Sequence, residues 1–212
     1  MLAALDALGF TDNDGPTTIV RSEDYGQRIR KAQADWAFAV EKLSRKIDIE
    51  FVEEYLRSRG ITLPVPAVLR HVPIGRIIAC VQQIDGVVTA IQIKGIGGKR
   101  ITRGWLGGGA VQLAPPCDGE LGLAEGVESA LSATQLHGAP CWATLGAGRL
   151  DAIDLPSGIC RVNIFPDNDE AGRAAAERAK RRYTNQLLPV RTWWPPDGQD
   201  WNDVLKGKQD AS

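Results

Sequence analysis

After Pro115-Pro116 the chain settles into an alternation of short apolar runs and longer helical patterns, which limits the fold more than any other feature. The runs Leu121 to Ala124, Cys141 to Leu145, Arg161 to Phe165 and Val190 to Trp194 have the length of strands. Between them Val127 to Leu136, a shorter stretch from Arg149 to Ile153, and Ala171 to about Gln186 read as helices. Such alternation predicts a mainly parallel sheet flanked by helices, because parallel neighbours need a crossover that packs back onto the sheet. Open sheets of this kind bind ligands beyond the C-terminal ends of their strands. The residues that follow each apolar run are therefore the first candidates for chemistry.

Those residues are acidic. Glu125-Gly126 follows the first run, Asp167-Asn168-Asp169 follows the third and leads through Ala171-Gly172 into a helix, and Asp200-Trp201-Asn202-Asp203 follows the last. If Glu125, Asp167 and Asp169 approach to about 4 Å, each charged pair repels by roughly 4 kcal/mol at an effective dielectric near 20. Helix N-termini offset only about 0.3–1 kcal/mol each. A divalent cation relieves the rest, and carboxylates suit Mg²⁺, which takes one or two of them with waters and substrate phosphates. The plainer role for Asp169 is capping of the helix that starts at Glu170, and for Asp203 capping of a short helix over Val204-Leu205-Lys206. Glu128 reads as a stabiliser of a helix start.

Taken in order, these three segments resemble the Toprim domain, the metal-binding catalytic module shared by bacterial-type primases, topoisomerases and some nucleases. The resemblance covers roughly Leu121 to Leu205. It implies that Asp167 and Asp169 bind Mg²⁺ or Mn²⁺, with Asp200 or Asp203 joining directly or through water. It gives Glu125 the part of general acid/base or of a further metal ligand, with Gly126 allowing close backbone approach to a ligand or making a tight turn.

Ahead of these motifs the pattern differs. Ile29, Ala32, Trp36, Ala39, Val40 and Leu43 recur at helical spacing within Tyr25 to about Ile47, and a second helix from Ile49 to Arg59 ends at Gly60. Tyr55-Leu56-Arg57-Ser58-Arg59-Gly60-Ile61 resembles the segment leading into the catalytic core of Toprim proteins from phages and mobile elements. Ile77 to Val81 and Val87 to Ile93 flank Asp85-Gly86, a hairpin signal. A Gly95–Arg100 loop, a strand over Ile101 to Leu106, Gly107-Gly108-Gly109 and Val111 to Ala114 complete an expected antiparallel subdomain. The glycine run lacks the Walker spacing of a P-loop. Between Arg76 and Arg103 the charged residues are Arg76, Lys94, Lys99, Arg100 and Arg103 against Asp85 alone. Lys94, Lys99, Arg100 and Arg103 are thus candidates for binding nucleic acid or nucleotide. The expected organisation is a loose leader over 1–24, helices over 25–75, the antiparallel basic subdomain over 76–116 and the Toprim domain over 117–212.

A formal net charge of −1 weighs against a surface that grips nucleic acid all over, so the local patch matters more. Cys80, Cys117, Cys141 and Cys160 form no C-x-x-C pair, and the zinc-binding domain that usually precedes primase catalytic parts is not expected. No apolar run is long enough to span a membrane and no secretory signal is evident, which makes the cytoplasm the expected location. His137 reads as a cation at a helix end, and of Trp193, Trp194 and Trp201 the last is the best candidate for base contact. The leading expectation is a primase-like nucleotidyltransferase that makes short RNA primers on a single-stranded DNA template from ribonucleotides. With no P-loop helicase segment, unwinding would fall to a separate helicase. A Toprim nuclease and a non-catalytic, partner-binding Toprim protein of a mobile element are the alternatives.

Overall fold

The computed structural model describes residues 22–42, 46–72, 75–95 and 99–210. The leader before Ser22, with the Asp12–Gly15 turn its sequence suggests, and the Ile96–Gly98 part of the glycine loop lie outside the described residues. Two four-stranded sheets organise the rest, one antiparallel and one parallel, with helices against both.

Helix α1 (Ser22–Lys42) and helix α2 (Lys46–Ser58) come first, and Gly60 takes the left-handed conformation (φ 75°) that ends α2. The antiparallel sheet follows as β1 (Leu69–Val72), β2 (Arg76–Gln82), β3 (Val88–Lys94) and β4 (Arg100–Gly104), paired in that order. Gly86, with φ 82°, makes the expected β2–β3 turn. Strand β1 carries no alternation that the sequence would reveal; it forms because β2 offers it an edge. Helix α1 covers one face through Ala32 and Ala39 against Ile78, Ile91 and Ile93.

The parallel sheet consists of β5 (Glu120–Ala124), β6 (Cys141–Ala143), β7 (Arg161–Phe165) and β8 (Val190–Thr192) in the order β6-β5-β7-β8. Helix α3 (Val127–His137) follows β5, α4 (Glu170–Asn185) follows β7, and α5 (Trp201–Asp210) comes last. The stretch expected as a helix over Arg149 to Ile153 is a single 3₁₀ turn, Ala147–Arg149, running into turns. Leu121, Leu123 and Ile164 pack on the alanine face of α4 (Ala175, Ala176, Ala179) and on Tyr183. No described helix is long and apolar enough to cross a membrane.

Val111 does not complete the antiparallel sheet as its sequence suggests. Ala110 bridges to Gln82 and Val111 to Ala143, so this short segment stitches one sheet to the other. A shared core fills the seam, with Leu56 and Ile61 from the α2 region, Val81 from β2, Ala124 and Phe165 from the parallel sheet and Leu205 from α5, all almost wholly buried. The seam opens into a cleft at the C-terminal ends of β5 and β7.

Candidate functional site

Ala124 pairs in register with Phe165 on β7 and Ala143 on β6, so the residues after them leave the sheet side by side. Glu125 comes first. Its backbone carbonyl accepts hydrogen bonds from Leu145 N (2.8 Å) and Gly146 N (3.2 Å), which fix the strand end. The Glu125 side chain is half-buried, and its Oε1 is buried with no hydrogen-bond partner in the chain. Burial, then the Asp167 charge and, more weakly, Asp169 push its carboxyl up to about 7, although the Asp167 backbone amide pulls the other way.

Asp167 lies across from it with Oδ1 likewise buried and unpartnered. Burial, then Asp200 and Asp169, push Asp167 up to about 6, against the opposing charge of Arg100. The loop that carries it is held from both sides. Asn168 is buried and donates from Nδ2 to Pro195 O (2.7 Å) and Asp197 Oδ1 (2.9 Å), tying the acidic turn to the loop before α5. Gly172 lets the first turn of α4 press against the same turn, since a Cβ there would meet Asp167 O at 2.1 Å.

Asp169 is exposed and caps α4, its Oδ1 accepting from Gly172 N at 2.7 Å. Asp200 and Asp203 form a reciprocal cap at the start of α5: Asp203 N donates to Asp200 Oδ1 (2.8 Å) and Asp200 N to Asp203 Oδ2 (3.3 Å). Asp200 still lines the cleft, whereas Asp203 does not. Gly126 is the N-cap residue of α3, with extended backbone (φ −113°), and a Cβ added there would have its nearest neighbour at 3.9 Å. The chain's own packing leaves room for a Cβ there, and glycine is at home as an N-cap.

The opposite wall is cationic. Arg59, Lys94 and Arg100 line a cleft of about 190 Å³ together with Glu125, Glu128, Asp167 and Asp200. Arg59 stands just beyond α2, and its backbone carbonyl accepts from Asn202 Nδ2 at 2.7 Å. Asn202, wholly buried, also donates to Ser132 Oγ at 3.0 Å. The last acidic motif therefore holds the Tyr55–Ile61 segment against α3 as well as supplying carboxylates. Sequence reasoning finds both motifs but not that one anchors the other, because no local pattern reports a contact across 143 positions.

The basic residues picked out by sequence divide. Arg100 faces the cleft and Asp167. Lys94 also reaches the cleft but pairs with Glu128, a buried carboxylate that accepts from Tyr55 Oη too. Glu128 thus does more than steady a helix start. Arg103 points the other way and pairs with the buried Asp35 of α1 at 3.5 Å. Lys99 is exposed beside the loop and does not line the cleft.

Two aromatic expectations change. Trp201 is 4% exposed and packs edge-on to Phe165, while Trp194, at 43%, is the exposed member of the three. The first residue of α5 faces inward because His137, Phe165 and Trp193 form the surface it closes on. In that setting burial, then Lys208 and Arg191, push His137 below its usual value, so it favours the neutral form over the cation expected at a helix end.

Among the described residues no three His, Cys, Asp or Glu side chains converge closely enough to hold a metal ion by protein donors alone. Glu125 and Asp167 line one cleft, each with a carboxylate oxygen lacking a partner, and this nonetheless fits a Mg²⁺-like ion, which needs only one or two carboxylates beside waters and substrate phosphates.

Residues 120–210 match the family model described as Toprim domain. This part of the chain is a Toprim domain. The whole fold is similar to primase catalytic cores. The primase fragment of the bacteriophage T7 primase-helicase protein aligns at 20% identity and TM-score 0.52, covering 68% of this chain and 62% of that one. A DNA primase domain from Pseudomonas aeruginosa aligns at 17% identity and TM-score 0.55, covering 86% and 76%. A DnaG primase catalytic domain bound to single-stranded DNA aligns at 15% identity and TM-score 0.57, covering 88% and 79%. The chain thus spans less than two thirds of the phage fragment, and at these identities the likeness is one of fold. No curated protein matches the chain by sequence. The Toprim domain and the antiparallel sheet ahead of it together make the primase-like architecture.

Proposed function

We propose that the cleft joins ribonucleotides on a single-stranded DNA template, as a primase-like nucleotidyltransferase. One observation carries the reading: Glu125 and Asp167, each with a buried oxygen that has no partner in the chain, line the same cleft as Arg59 and Arg100. Acid and base on opposite walls suit a ligand that brings both cations and phosphates.

In this reading Asp167 and Asp200 would hold Mg²⁺ or Mn²⁺, and the charges of Asp169 and Asp203 reinforce the site from their caps. A cation held there would supply neutralisation of the triphosphate charge and stabilisation of an in-line displacement. Arg100 and Arg59 orient phosphates from the facing wall. Glu125, with its carboxyl near 7, is suited to accept the proton of the attacking 3′-hydroxyl near neutral pH. That hydroxyl oxygen bonds to the α-phosphorus of the incoming nucleotide and pyrophosphate leaves. Lys99 beside the cleft contacts the template backbone, and unwinding comes from a separate helicase. Residues 1–24, 25–75, 76–116 and 117–212 serve as leader, helical segment, basic subdomain and catalytic domain, in a cytoplasmic protein of a mobile element.

The test is primer synthesis from labelled ribonucleotides on varied single-stranded templates with Mg²⁺ or Mn²⁺, beside Glu125→Gln. Short metal-dependent products that vanish in the variant are expected. An intact template with no product overturns catalysis in favour of a binding role, and a degraded template replaces synthesis with nuclease activity.

A further inference from the structure

A lysine ammonium on the wall of a cleft that presents Glu125, Asp167 and Asp200 is in principle a competitor for any divalent cation, because it carries charge of the same sign and brings its own donors. Lys94 does not occupy that position by default. Its ammonium is taken up by Glu128, the second residue of α3 and three residues beyond Glu125. The pair is well shielded, with side-chain exposures of 21% for Lys94 and 8% for Glu128. The same Glu128 oxygen accepts from Tyr55 Oη, and the ammonium stands 5.5 Å from the Tyr55 ring centre. Three elements (α2, β3 and the first turn of α3) therefore meet on one carboxylate.

We propose that Glu128 is a positioning residue that pins Lys94 to the far wall of the cleft and so keeps the acidic centre open to a divalent cation. This rests on the metal-site reading above. Burial alone would raise the Glu128 carboxyl, yet Lys94 and Tyr55 together hold it below its usual value, so the carboxylate stays ionised and the lock stays closed. With the lock removed, the flexible four-carbon lysine stem is free to turn within the cleft it lines, where Glu125 and Asp167 each carry a carboxylate oxygen without a partner.

The idea makes an unusual demand on mutants: a second substitution must repair the first. Mn²⁺ binding followed by electron paramagnetic resonance on the full chain tests it in wild type, Glu128→Gln, Lys94→Gln and the double variant, with melting temperature recorded for each. Glu128→Gln is expected to weaken Mn²⁺ by about tenfold, the size of a nearby opposite charge acting on a carboxylate site. Lys94→Gln should bind at least as well as wild type, and the double variant should return to within about twofold of it. A general loosening of the junction would instead make the double variant as weak as Glu128→Gln or weaker, which overturns the proposal. So does a Glu128→Gln that binds like wild type. If Glu128→Gln does not fold, Glu128→Asp, which draws the charge back by one methylene, replaces it with the same expected direction. A wild-type protein that binds no Mn²⁺ sinks the metal reading itself, a result distinct from either failure of the lock.

Discussion

The two walls of the cleft are built on opposite plans. On the parallel-sheet side, Glu125 and Asp167 leave adjacent strands in register and keep buried oxygens without partners. On the antiparallel side the cations divide: Lys94 is committed to Glu128 and, outside the cleft, Arg103 to Asp35, while Arg100 faces Asp167. The acidic wall is unsatisfied throughout; the basic side mixes cations open to a ligand with cations that serve as architecture. Sequence shows the difference in charge between the walls but not this difference in readiness.

The sharpest way to break the comparison is to remove the unsatisfied charge. Asp167→Asn or Glu125→Gln should reduce primer synthesis by about a thousandfold, while melting temperature in chelator does not fall. Because both carboxyls are raised, each stabilises the fold fully only below its unfolded value near 4 and loses that contribution as pH rises through about 6 for Asp167 and about 7 for Glu125. Melting curves of the metal-stripped wild type should therefore drop below those of the variants from pH 4 to 7. Curves that stay parallel across that range would place the two acids in ordinary solvated surroundings.

Glycines separate packing from function on the acidic wall. Gly172→Ala drives a methyl into Asp167 O and should cost about 1–3 kcal/mol, seen as a lower denaturation midpoint. Gly126→Ala meets nothing closer than 3.9 Å, so it should cost only what alanine costs as an N-cap, about 0.5–1 kcal/mol, while reducing turnover. A Gly126→Ala enzyme of full activity would remove the ligand-approach role from that position.

The basic wall offers a matched pair. Arg100→Ala should raise the KM for nucleotide about tenfold without altering stability, the loss expected of a charge-assisted phosphate contact. Arg103→Ala should lower stability by about 1 kcal/mol, by orphaning Asp35, and leave KM alone. Equal KM effects for the two would erase the distinction between open and committed cations. Smallest of all, Asp203→Ala removes the longer half of the α5 cap and should cost about 0.5 kcal/mol in chemical denaturation, with only a slight change in turnover.

What can be read in advance follows the same divide. The parallel sheet announces itself because each strand is a short apolar run and each acid sits at its end, so one-dimensional order carries three-dimensional position. Strand β1 is invisible, since Leu69–Val72 is a strand only beside β2. Glu128 passes for a simple helix-start residue because its partners, Tyr55 and Lys94, lie 73 and 34 positions away. Trp201 reads as open to a base because nothing local says which way the first turn of α5 faces. Arg103 looks equivalent to Arg100, yet three residues along β4 separate a side chain in the cleft from one paired beneath α1. Ends of strands are legible; the partners of long side chains are not.

The central claim is that the acidic wall recruits a nucleotide through a metal. Calorimetric titration of a ribonucleoside triphosphate into wild type and Asp167→Asn, with and without Mg²⁺, addresses it directly. Binding that requires Mg²⁺ and is lost in Asp167→Asn is the expected result. Binding of equal strength without Mg²⁺, or undiminished in the variant, would contradict it.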